Sequence, residues 1–148
     1  MPEEKIVLKY CGTINPRDIE TYIAVDGFKA LDKALHHMTP EEVITEVKNS
    51  GLRGRGGAGF PTGQKWEMTR KSPGEEKYII CNADEGEVGT FKDRYILAND
   101  PFSLIEALAI GGYAVGASRG YIYLRAEYRY LVDLIKNVIE QVARRGYL

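Results

Sequence analysis

Sixteen residues, Gly51-Leu-Arg-Gly-Arg-Gly-Gly-Ala-Gly-Phe-Pro-Thr-Gly-Gln-Lys65-Trp66, hold six of the chain's sixteen glycines together with Arg53, Arg55 and Lys65. Glycine at this density costs backbone entropy, which a loop carries where its backbone must approach a ligand or adopt φ > 0. The interleaved cations make that ligand an anion, so the pattern points to a phosphate cradle. A loop whose glycines serve only its own turns is the alternative. Gly54-x-Gly56-x-x-Gly59 fits the dinucleotide fingerprint, but that fingerprint needs a strand before it, and here a capped helix precedes. The stretch Gly59 to Lys65 is followed by Trp66, not by the Ser or Thr of a nucleoside-triphosphate loop.

A second polar stretch, Asn82-Ala-Asp84-Glu85-Gly-Glu87, leaves the carboxyl end of an expected strand, where open α/β sheets bind ligands. Asn82 offers a donor and an acceptor, and Asp84 and Glu85 offer acceptors. These groups suit a heterocycle with ring N–H and carbonyls, or a ribityl or ribose chain. They also suit a hard cation, or a capping and ion-pair network with Lys92 and Arg94. One loop basic and glycine-rich, the other acidic and amide-bearing, together match a ligand with a phosphate at one end and a polar ring at the other.

The elements that must hold these loops read in order. Lys5 to Cys11 is expected as a short strand. Asn15-Pro16-Arg-Asp18 opens a helix with Asn15 as its cap, ended by Gly27, and Phe28 to His37 forms another. His36 and His37 point about 100° apart on a helix, which suits two surface residues and not a metal site. Thr39-Pro40-Glu41-Glu42 is a capping box, and Asn49-Ser50-Gly51 stops its helix at the glycine loop. Gln64 to Arg70 is a short helix whose first amides point into that loop. Lys77 to Asn82 reads as a buried strand, 83–94 as loop, and Asp100-Pro101 caps an apolar helix. Gly120 to Arg125 is the next strand, and Glu127 to Arg145 the longest helix, with Leu131, Leu134, Ile135, Val138, Ile139 and Val142 at helical spacing. Strand–helix–strand–helix over 77–145 is a βαβ unit in a mostly parallel sheet. Residues 1–50 lead into the site, and 51–148 form the first part of an α/β domain.

Composition narrows the function. The 148 residues are the size of one domain. A net charge of −1 gives no bulk basic field for nucleic acid, so any anion site is local. Cys11 and Cys81 form no CxxC pair, which speaks against a zinc or cluster site in this stretch, and two free thiols are expected over a disulfide. The charged N-terminus lacks an apolar leader core, and no apolar run is long enough to span a membrane, so a cytoplasmic location is expected.

At these residues the chain resembles a known family. Gly51 to Trp66, followed by Cys81-Asn-Ala-Asp-Glu-x-Glu87-x-Gly-Thr-Phe-Lys-Asp-Arg94, looks like the FMN-binding domain of the 51-kDa flavoprotein subunit of respiratory complex I and of NAD-linked hydrogenases and formate dehydrogenases. Tyr10 to Pro16 and Gly27 to Ala30 look more like the soluble hydrogenase members. The resemblance implies a Rossmann-like α/β domain in which FMN accepts hydride from NADH and passes electrons to iron–sulfur clusters. It implies that Gly54, Arg55, Gly56 and Gly57 approach the FMN phosphate, that Lys65 also contacts FMN, and that Asn82, Asp84 and Glu85 bind its ring and ribityl side. Phe60 would stack on the NADH adenine, and Glu87 would lie beside the nicotinamide as a positioning residue. Met68 departs from the pattern, standing where members often carry a second aromatic. The resemblance covers only the N-terminal part of the subunit. A [4Fe–4S] cluster and a thioredoxin-like [2Fe–2S] partner subunit are expected outside this stretch, in a complex peripheral to a membrane. The isolated chain is therefore expected to bind FMN weakly or not at all and to show no NADH oxidation. A flavin-free module of the same fold is the alternative; an ion-pumping membrane relative sharing Gly-Gly-Ala-Gly-Phe-Pro is disfavoured by the Arg-Gly-Arg and Lys-Trp context.

Overall fold

The computed structural model describes residues 5–148. Helices α1 (Ile19–Ile23), α2 (Lys29–His37), α3 (Pro40–Asn49) and α4 (Thr62–Lys71) precede strand β1 (Tyr78–Ala83). Helices α5 (Lys92–Asn99) and α6 (Pro101–Val115) lead to strand β2 (Arg119–Leu124), a 3-10 helix (Ala126–Leu131) and helix α7 (Val132–Arg144). β1 and β2 pair. The Ser118 amide donates to the Lys77 carbonyl at 3.1 Å, and the Arg125 amide to Ala83 at 3.5 Å. That register advances in the same direction on both strands, so the pair is parallel and α5 and α6 form its crossover, as the α/β reading expects.

Contacts divide the chain into two compact units. One gathers the chain up to Phe28 with Cys81–Glu106 and Ile122–Leu148; the other holds Lys29–Ile80 and Ala107–Tyr121. In the first, α1 packs on α7. The Tyr22 ring meets Phe28 edge-on at 5.1 Å and stacks on Phe102 at 5.7 Å, while its hydroxyl donates to the buried Glu106 carboxylate at 2.5 Å. Gln141 ties α7 to the start of α1, accepting from the Ile19 amide at 3.0 Å and donating to the Arg17 carbonyl at 2.9 Å. In the second, Ala34, Val43, Ile44 and Ala114 form a core against which Met38, Trp66, Ile110 and Tyr113 pack. The capping box of α3 is present: the Thr39 amide donates to Glu42 Oε2 at 2.7 Å, and the Glu42 amide to Thr39 Oγ1 at 3.3 Å.

Five expectations need correction. Lys5 to Cys11 is not a strand: Lys9, Cys11 and Thr13 donate to the carbonyls three residues back, so local turns satisfy a backbone that lacks a neighbouring strand to pair with. The cap of α1 is Asp18, which accepts from the Glu20 amide at 3.0 Å; Asn15 turns back on the Arg17 amide at 3.0 Å. β1 is half-exposed: Tyr78 and Ile80 are 42% and 62% accessible, because only one face of the pair is covered. The stretch 83–94 is not all loop, since α5 begins at Lys92. The last helix is not continuous: Tyr128 at φ −97°, ψ 21° separates the 3-10 turn from α7, and α6, with 15 residues, is longer than α7, with 13. Cys11 and Cys81 are free thiols. Among the described residues no helix is long and apolar enough to cross a membrane.

Candidate functional site

The glycine loop belongs to the second unit and has a pinched neck. The Gly54 amide donates to the Phe60 carbonyl, and the Thr62 amide to Leu52, each at 2.9 Å. Arg53 Nη1 donates to the Gly59 carbonyl at 3.0 Å. Arg53 therefore closes the loop from within. Beyond the neck, Gly57 and Gly59 take φ of 97° and 61°, a region that L side chains enter only at a cost. A side-chain carbon on Gly56, Gly57 or Gly59 would meet no atom within 4 Å, so open space faces the backbone there. Among the described residues the amides of Arg55 to Gly59 have no acceptor, and Arg55 and Lys65 form no ion pair.

α4 starts directly after the neck, at Thr62, with no side-chain cap and no acidic residue in its first turn. Its positive end is thus uncompensated, while Arg70 and Lys71 complement the opposite end. Gly63 has a different role from the loop glycines: a Cβ there would stand 2.6 Å from both the amide nitrogen and Cγ of Lys48. α4 packs on α3 at that point, so Gly63 is a packing residue. A cleft of about 610 Å³ is lined by Gly54, Gly56, Gly59, Phe60, Lys65 and Ile80, among others. Arg55 and Gly57 are outside its lining. Free amides, open backbone and two uncommitted cations fit a phosphate-bearing group such as that of FMN.

The acidic loop belongs to the first unit. Asn82 is the last but one residue of β1 and exposed, and its Oδ1 accepts from the Asp84 amide at 3.1 Å, leaving its side-chain amide donors available. Among the described residues, the carboxylates of Asp84 and Glu87 make no hydrogen bond or ion pair, and Glu87 is exposed. Glu85 differs in every respect. It is buried, 8% accessible, and takes φ 45°. Its carboxylate accepts from the Asp93 amide at 2.5 Å, the Arg94 amide at 3.3 Å and the Tyr128 hydroxyl at 2.6 Å. Burial opposes ionisation, but the Tyr128 hydroxyl and the two amides outweigh it and hold the carboxyl below its ordinary range. Its carbonyl accepts from Arg125 Nη1 at 2.5 Å. The structure thus leaves Asn82, Asp84 and Glu87 available to a ligand and engages the side chain of Glu85. Arg125 and Tyr128 were not among the expected site residues; their one sequence signal is that they follow the carboxyl end of β2.

The model of the Nuo51 FMN-binding domain family matches residues 47–147. The chain is 50% identical to the HndC component of the NADP-reducing hydrogenase of Solidesulfovibrio fructosivorans, over 97% of this chain and 29% of that protein. It is 48% identical to an NADH-quinone oxidoreductase component of Rhizobium meliloti, over 98% of this chain and 34% of that protein. Its fold matches the structure of an air-oxidized NAD+-reducing [NiFe]-hydrogenase with a TM-score of 0.75 at 35% identity, covering 95% of this chain and 23% of that one. The chain spans about a third of the length of these curated relatives. With the family model covering residues 47–147, which include both polar loops, the chain belongs to the Nuo51 FMN-binding domain family.

Proposed function

We propose that this chain is the FMN-binding part of an oxidoreductase subunit that takes electrons from NAD(H) and delivers them to iron–sulfur centres of a redox complex. The observation that carries the reading is the glycine loop, with its unpartnered amides from Arg55 to Gly59 and the open backbone at Gly56, Gly57 and Gly59. When bound, FMN supplies the exchange between a two-electron donor and one-electron acceptors. The residues of the chain bind and orient. Arg55, Gly56 and Gly57 take the phosphate end through their amides, Arg55 and Lys65 add charge, and Gly54, whose own amide closes the neck, lets the backbone approach. Asn82 and Asp84 take the ribityl chain and ring through a donor and an acceptor. The side chain of Phe60, 45% accessible, offers a face on which a nicotinamide nucleotide's adenine stacks. The exposed Glu87 carboxylate orients the nicotinamide and moves no proton.

The test is a titration of the isotopically labelled chain with FMN, followed by amide NMR. The reading expects amides 54–57 and 82–87 to shift together, with inorganic phosphate moving only the first set. FMN that binds the chain, shifting other amides, and moves neither set refutes the proposal.

A further inference from the structure

We propose that Arg125, Glu127 and Tyr128, at the carboxyl end of β2, are positioning residues that clamp the acidic loop through Glu85. The inference rests on the flavin reading above for its purpose, but its geometry stands alone within one unit of the fold. Glu85 lies two residues beyond β1 in a left-handed conformation, φ 45°, which a non-glycine residue keeps only when its surroundings hold it. Four donors hold it. The amides of Asp93 and Arg94 bind its carboxylate, so the side chain closes the loop 85–93 on itself and supplies the cap that Phe91 does not give α5. The Tyr128 hydroxyl binds the same carboxylate at 2.6 Å, and Arg125 Nη1 binds the carbonyl at 2.5 Å. Both ends of one residue are thereby fixed by one short segment.

That segment is itself braced. Glu127 grips the Arg125 guanidinium with both oxygens, at 2.9 Å to Nε and 2.5 Å to Nη2, which sets the direction of Nη1. The guanidiniums of Arg125 and Arg94 lie 5.5 Å and 6.0 Å from the Tyr128 ring centre. Tyr128 departs from helical geometry at φ −97°, ψ 21°, at the point where its hydroxyl reaches Glu85. Asp84 and Glu87, which flank Glu85, have no such bonds. The clamp holds the residue that carries them and leaves their carboxylates to the ligand.

The experiment compares wild-type chain with Tyr128→Phe and, as control, Tyr130→Phe, whose side chain is exposed. Amide exchange at Asp93 and Arg94, measured without flavin, should rise about tenfold in Tyr128→Phe. The Glu85 carboxyl, followed by carbon NMR, should titrate closer to its ordinary range. FMN binding should weaken about tenfold, and Tyr130→Phe should change nothing. If Tyr128→Phe does not fold, Arg125→Lys is measured in the same way, because it surrenders the fork to Glu127 and keeps the charge. Unchanged exchange and titration overturn the clamp. Faster exchange with unchanged FMN affinity overturns its positioning role and leaves a helix cap. FMN that binds every one of the proteins without moving amides 54–57 or 82–87 sinks the flavin reading instead, and the exchange data then decide the clamp without it.

Discussion

Replacing Gly63 by alanine separates glycines that build the loop's support from glycines that face a ligand. An added Cβ would stand 2.6 Å from Lys48 N and Cγ and 3.0 Å from Lys48 Cα. Two of those atoms belong to the backbone of α3 and cannot swing aside. Favourable carbon contacts begin at about 3.5 Å, so α3 and α4 must part by roughly an ångström. Overpacking of that kind costs about 1–3 kcal/mol. Against it, alanine restricts the unfolded chain and gains about 0.4–1 kcal/mol. Because the clash is with backbone, the upper part of the overpacking range applies, and the net loss should be about 1–2 kcal/mol. Urea denaturation reads this directly as a lower midpoint at unchanged slope. Gly56→Ala is the counterpart: its Cβ meets nothing within 4 Å, and its stability should change by less than about 0.5 kcal/mol while FMN binding weakens. Wild-type stability in Gly63→Ala would show that the α3–α4 contact yields freely, and the packing role assigned to Gly63 would be wrong.

Three further outcomes follow from the same geometry. Lys65→Ala, which removes an uncommitted cation from the cleft, should weaken FMN binding by about 1.5–3 kcal/mol with little change in stability; unchanged affinity removes Lys65 from the site. The Glu85 carboxyl titrates below its ordinary value of 4.5 in the folded chain, so the stability it contributes is present above that value and lost as pH falls through the lower folded value. Asp100, raised chiefly by burial, acts in the opposite sense, whereas Glu127, held low by Arg125, and Glu67, held low by Lys48 and Lys71, act in the same sense as Glu85, so Glu85→Gln should flatten the acid-side decline measured by denaturation and not abolish it. Tyr22→Phe, which takes a donor from buried Glu106, should cost about 1–3 kcal/mol, read by the same denaturation assay.

Much of the fold was legible because it is written locally. The α3 start needs only Thr39, Pro40 and Glu42, all within one turn, and the parallel strand pair follows from two apolar runs with helices between them. The errors fall where the partner is distant. α5 has no side-chain cap at Phe91; its cap comes from Glu85, which also bonds Tyr128 43 residues away. No window along the chain contains that arrangement. β1 reads as buried because Tyr78-Ile-Ile-Cys is apolar on both faces, yet periodicity cannot state which faces find cover. Within the glycine loop the composition was legible and the division of labour was not, since the need for glycine at Gly63 comes from Lys48 on another helix.

The same limit applies to charge. The glycine loop carries Arg53 and Arg55 one residue apart, and the acidic loop carries Asp84 and Glu85 side by side. Sequence treats each pair as equivalent. In the structure Arg53 donates to the Gly59 carbonyl and Arg55 has no partner among the described residues; Glu85 accepts from two amides and a hydroxyl and Asp84 accepts from none. Each loop thus pairs a charge that shapes it with a charge that it presents. The shaping member desolvates against its own chain, so its neutralisation appears first in stability. The presented member stays hydrated until a ligand arrives, so its neutralisation appears first in binding. Acidic and basic composition alone therefore marks where a polar ligand goes, whereas the bonds already made decide which residues remain to hold it.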